Sequence, residues 1–171
     1  MLKAIDAAIG IVCRIGLWMS AGIVLLIVAV VGAEVICRTL LATSLYVVEE
    51  AVGYLLAAFT MFGLAHTLWS GNILRVEVIF TRLSPKGRDR ADLVFSVVAL
   101  VYLLILEHQL IRLVFTSYAR DIVSVTLVAF PVWVPQALVA AGGVLLTATV
   151  VNAILQQGYR VVTGTVIAKS D

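Results

Sequence analysis

Four long apolar runs parted by short charged joints fill nearly all of this 171-residue chain. They lie at residues 8–33, 47–69, 93–118 and 132–155. Each is close to or above the ~20 residues that a helix needs to cross a bilayer. Lipid offers no partners to open backbone groups, so the pattern predicts four spanning helices rather than strands. Between the second and third runs the period changes. Ile73, Val76, Ile79, Phe80 and Leu83 gather on one side of a helical wheel, while Arg75, Glu77, Thr81 and Arg82 fall elsewhere. This segment is too short and too charged to cross. It predicts an amphipathic helix over 72–83 lying in the interface, its basic side chains near anionic headgroups. The alternation from Arg75 to Val78 also fits a strand, but a lone strand beside lipid would leave its backbone unpaired. Ser84-Pro85-Lys86-Gly87 breaks the helix, and the third span begins near Asp92. The expected fold is an all-α integral membrane protein, a single domain with four transmembrane helices and a cytoplasmic-side interfacial helix.

Composition adds that water cannot be the solvent: 63% hydrophobic residues and a mean hydropathy of +1.13 exceed what one soluble core can hide. The net charge of +2 is small, and its distribution matters more. Lys3, Arg14, Arg75, Arg82, Lys86, Arg88, Arg90, Arg160 and Lys169 lie at the termini or the second joint, against Arg38, Arg112 and Arg120 on the other side. Positive residues in short joints resist transfer, so both termini are expected in the cytoplasm. No basic patch points to nucleic acid. The first run exceeds a signal-peptide core, and no small-residue cleavage site follows it, so it reads as a retained helix. Cys13 and Cys37 are about 36 Å apart along that helix at ~1.5 Å per residue, too far to bridge, and read as packing residues.

Ionisable residues in the spans are where transport chemistry is sought, because burying them without a partner is costly. Here they cluster at the edges. Glu34 and Arg38, four apart, can pair with each other, and Arg38 can also tie the end of the first span to Glu49 or Glu50. The two acids open the second helix, where the dipole favours negative charge. A coupling-ion site would need oxygens from unwound backbone, and no span is broken. Glu107 and His108 lie deeper and read either as a polar structural contact or as a proton relay. His66 and His108 are separated by roughly 18 Å along the membrane normal at ~1.5 Å per residue, so they cannot share a haem iron. No zinc spacing, phosphate loop or nucleophile motif is present. The chain reads as neither an enzyme nor a cofactor protein.

Three stretches remain. Arg38 closes the first helix, and Val48-Glu49-Glu50 precedes Phe62-Gly63 in the second. Gly71-Asn72-Ile73-Leu74-Arg75-Val76-Glu77 follows the second span. Ser124-Val125-Thr126-Leu127 precedes Pro131-Val132-Trp133-Val134-Pro135-Gln136, where Pro131 and Pro135 fall before and within the first turn of the last helix and Trp133 sits at headgroup depth. In order and spacing these resemble the small membrane subunit of the tripartite ATP-independent periplasmic (TRAP) transporters, the DctQ-like small permeases, across the four spans. The chain departs from that pattern around Ile73, where relatives commonly carry His, and at Glu77, where they carry Asp. Any role of that His is not carried over.

The resemblance implies a large membrane subunit that carries an organic acid with Na⁺, a soluble periplasmic binding protein that delivers it, and a scaffolding role for this chain in the inner membrane. Under it, Arg38, Glu49, Glu50, Arg75, Pro131, Trp133 and Pro135 are structural or subunit-interface candidates. Arg120 and Asp121, in the joint from Ala119 to Phe130, are candidates for periplasmic contact. The alternative is an independent small proton-coupled four-helix transporter, although Glu34 lies at the end of its helix rather than mid-membrane.

Overall fold

The computed structural model describes residues 2–40, 47–71, 85–124 and 129–163. Four helices make up almost all of it: α1 (Leu2–Leu40), α2 (Val47–Ser70), α3 (Pro85–Ala119) and α4 (Trp133–Thr163). Each holds a stretch long and apolar enough to cross a membrane, at Ile5–Leu40, Val48–Ser70, Arg90–Ala119 and Trp133–Tyr159. The protein is an all-α membrane protein, as the apolar runs predict. The proposed interfacial helix over 72–83, with Arg75, lies outside the described residues.

The helices outrun the apolar stretches that reveal them. α1 has 39 residues and is about 58 Å long at ~1.5 Å per residue, nearly twice a ~30 Å hydrocarbon core. α3 starts at Pro85, well before Asp92, because proline is a good first helical residue: its φ is already helical and its missing N–H has no intrahelical acceptor there. Hydropathy marks where lipid begins, and hydrogen bonding marks where the helix begins.

Two helix ends are closed by left-handed residues. Gly71 follows α2 with φ 77° and donates its N–H to Leu68 O at 3.2 Å, an end that glycine makes without steric cost. α3 ends on Asp121 with φ 45°. Asp121 N donates to Tyr118 O at 3.2 Å and Ile122 N to Ser117 O at 3.0 Å, the paired bonds of a Schellman closure. The chain then turns back. Ser124 N donates to Phe130 O at 2.9 Å and Val132 N to Ile122 O at 3.2 Å, a small antiparallel bridge that leads into α4.

α1, α2 and α4 pack against one another, and α3 lies on α4. α4 is the central helix: half of its most apolar window is buried, against 11–17% for the other three. The core runs through Cys13, Ile23, Ala58, Phe62, Ala65, Leu103, Val139, Leu145, Leu146 and Val150. In lipid, apolar contact alone gives helices little reason to associate, and close backbone approach and polar bonds take over. Both are present. A Cβ on Gly16 would meet Leu145 and Phe62, and one on Gly142 would meet Met61 and Phe62. The outward face of α1, with Ile11, Trp18, Leu25 and Val28, is apolar and suits acyl chains.

Candidate functional site

The polar groups inside the bundle form three levels. At the end where α1 begins and α4 finishes, Asp6 of α1 is buried and its Oδ1 accepts three hydrogen bonds. They come from Trp69 Nε1 of α2 at 3.2 Å and from Asn152 Nδ2 and Gln156 Nε2 of α4 at 2.9 and 2.7 Å. Asn152 and Gln156 are four apart, so one face of α4 presents both. The Trp69 indole lies over Gly10, where a Cβ would overlap the ring, and only glycine lets α2 come this close. Three donors on one carboxylate oxygen offset the cost of taking that group out of water, and they fix three helices to one atom.

Two turns further along α1, Cys13 is fully buried, with Sγ 3.3 Å from Thr149 Oγ1 of α4 and 3.7 Å from Ala65 O of α2. Thr149 Oγ1 also donates to Leu145 O at 2.8 Å. Cys13 and Cys37 are both free thiols, and Cys13 packs in the core. Ser20 Oγ then donates to Phe59 O at 3.0 Å, facing Gly63. Asp6, Gly10, Cys13, Gly16 and Ser20 thus form one stripe of small or polar residues, and every bond in it is made to another helix or to the space that helix needs.

The middle level belongs to α3. Glu107 is buried with its carboxylate against Gly143 of α4, where an added Cβ would meet Oε2, and its Oε1 has no hydrogen-bond partner among the described residues. His108, the next residue, is exposed. His66 sits half-buried on α2 beside Trp69, ring centroids 5.9 Å apart, so the two histidines belong to different parts of the bundle.

The opposite end holds most of the residues singled out from sequence. Arg38 pairs with Glu34 at 3.0 Å, the local alternative of the two open to it. Glu49 is exposed in the first turn of α2. Glu50 accepts a hydrogen bond from Ser124 Oγ, which joins α2 to the segment after α3. Glu50 of the Val48-Glu49-Glu50 fragment and Ser124, 74 positions apart, therefore meet in space. Pro131 stands two residues before α4, Trp133 opens it and Pro135 lies in its first turn. Trp133 meets Tyr118 edge to face at 5.5 Å, pinning α4 to the end of α3. Arg120 and Asp121 are exposed. Among the described residues no group of three His, Cys, Asp or Glu side chains could hold a metal.

Sequence reasoning missed the Asp6 clasp. Asp6 precedes the first apolar run and reads there as a boundary charge, while Asn152 and Gln156 are diluted by their apolar neighbours. The signal available was the spacing: small residues at Gly10, Cys13, Gly16 and Ser20, and two amides four apart near the end of the last span.

A family model described as the DctQ component of the tripartite ATP-independent periplasmic transporters matches residues 27–158. No curated protein and no solved structure matches. The matched stretch takes in α2, α3, the Glu50–Ser124 contact and Asn152, and leaves Asp6 and Cys13 ahead of it. A four-helix membrane bundle matched over more than three quarters of its length belongs to the DctQ family, the small permease subunits of TRAP transporters.

Proposed function

We propose that this chain, as a single membrane domain, scaffolds the large membrane subunit of a TRAP-type transporter in the inner membrane. That subunit imports an organic acid with Na⁺, and a periplasmic binding protein hands the substrate over. The observation that carries the reading is how the interior polar groups are used. Asp6, Cys13, Ser20 and Glu50 each bond across to another helix or joint, the arrangement of a fixed frame. With both termini cytoplasmic, as the positive residues favour, the Asp6 clasp lies toward the cytoplasm and Arg120 and Asp121 face the periplasm. Those two side chains then offer the binding protein one charge of each sign. The Tyr118–Trp133 contact and Pro131 and Pro135 hold the joint that carries them. Arg38, Glu49 and Arg75 are retained as interface positions.

The test is purification of the tagged chain from its native host under mild solubilisation, followed by reconstitution. A multi-span partner at near-equal amount is expected. Vesicles holding both chains should take up a carboxylate only with the binding protein and an inward Na⁺ gradient, and vesicles with this chain alone should take up nothing. Uptake by this chain alone, abolished by Glu34→Gln or Glu107→Gln, would overturn the reading in favour of a small independent transporter. Replacing Arg120 and Asp121 together should weaken binding-protein docking, and unchanged docking removes them from that role.

A further inference from the structure

α3 carries four polar side chains within six positions of its span, and they do not share a face. Glu107 turns inward onto Gly143. His108, Arg112 and Gln109 sit about 100°, 140° and 200° round the helix from it at ~100° per residue, and all three are exposed. Their side chains make no hydrogen bond or ion pair among the described residues. Such groups are costly against acyl chains and are found facing protein or water-filled space.

Snorkelling does not relieve them. Helical side chains lean toward the N-terminus of their own helix. Arg112 is about 10 Å from Ala119, the near end of α3, at ~1.5 Å per residue, but it leans toward Pro85, the far end. His108 lies deeper still. Arg14 on α1 differs in direction: its lean is toward Leu2, the nearer end of its helix.

We propose that the face of α3 bearing His108, Gln109 and Arg112 is the surface that docks a separate membrane-embedded chain carrying a carboxylate at the level of Arg112. This rests on the reading that the protein works beside a larger membrane subunit, and it selects α3 over the apolar face of α1. The chemistry sets the partner: Arg112 has only donors, and an acidic side chain facing it in lipid satisfies both. A second copy fits poorly. A two-fold contact through α3 would set Arg112 beside its own equivalent. The carboxylates of this chain inside the bundle are also engaged, Asp6 with three donors, Glu34 with Arg38 and Glu50 with Ser124, while Glu107 is enclosed against Gly143.

A photo-crosslinking residue placed at Val101 or Ile105, exposed positions on the same face, leaves the polar groups intact. Leu25 and Val28 on α1 serve as controls. With the whole transporter in its native membrane, adducts to a large multi-span chain are expected from Val101 and Ile105 and not from the controls. Arg112→Leu should cut recovery of that chain about tenfold, the size of a strong interhelical polar contact in lipid. Circular dichroism of the purified variant should match the parent, separating lost docking from lost folding. Adducts to the large chain from Leu25 and Val28 alone would overturn the α3 surface while leaving the subunit reading intact. Adducts joining two copies of this chain would overturn the surface as stated. Absence of any membrane partner at all four positions and in the purified material would overturn both.

Discussion

Replacing Asp6 with Ala tests whether the clasp holds the bundle. The change removes the one oxygen to which Trp69, Asn152 and Gln156 all donate. An orphaned buried donor costs about 1–3 kcal/mol in a water-solvated protein, but interhelical polar contacts in membranes average ~0.6 and reach ~1.7 kcal/mol because the separated helices find other partners. Asn152 is almost wholly buried and takes the larger figure, whereas Trp69 and Gln156 are half-buried and take the smaller. The carboxylate also gives back part of its own desolvation cost when removed, which pulls the total down. The expected loss is about 2–3 kcal/mol, read as the shift in an SDS titration of the purified protein in mixed micelles and followed by tryptophan fluorescence, with Trp69 in the clasp as one reporter. Asp6→Asn keeps a neutral acceptor and should lose about half as much. A cycle with Asn152→Ala isolates the pair, and its coupling should be about 1 kcal/mol. Unchanged stability of Asp6→Ala together with zero coupling to Asn152→Ala would refute the reasoning, because the three bonds would then hold nothing together.

Other positions give independent readings. Gly143→Ala puts a Cβ into the Glu107 carboxylate and should destabilise α3 on α4 by about 1–3 kcal/mol in the same titration, with most of the loss recovered by adding Glu107→Ala. Asp121→Gly relieves a left-handed L-residue and should raise stability by about 1 kcal/mol, whereas Asp121→Val should lower it, both read from thermal unfolding in detergent. Glu50→Ala removes the acceptor of Ser124 Oγ and should speed amide exchange at Ile122 and Ser124 about tenfold, while exchange in the middle of α4 stays as it was.

The spans were legible because lipid imposes a long, crude requirement that any window of residues satisfies or fails by itself. Residue-level contacts are a different matter. Arg38 had two open partners, one on its own helix and one across a joint, and which it takes depends on where the second helix stands. Glu50 stands out in the sequence as an acid at a helix start, but its partner Ser124 comes from beyond α3, and no local period announces that meeting. Asp6 does not stand out, because a charge just ahead of an apolar run is the ordinary mark of a membrane boundary. It becomes an interior residue only because α1 extends to Leu2 and α4 brings Asn152 and Gln156 to the same level. Pro85 shows the same limit at a helix start, where a turn signal in the chain proves to be the first residue of α3.

The Asp6–Asn152 bond spans 146 positions, so it also orders events in time. During synthesis α1 enters the membrane first, and at ~5–20 residues per second roughly seven to thirty seconds pass before the donors of α4 exist. Once α2 has followed, the carboxylate has Trp69 alone of its three donors until α4 arrives. Two of the three donors that hold the start of the first helix therefore arrive only with the last one, so α1 is fixed in its final place by the final span.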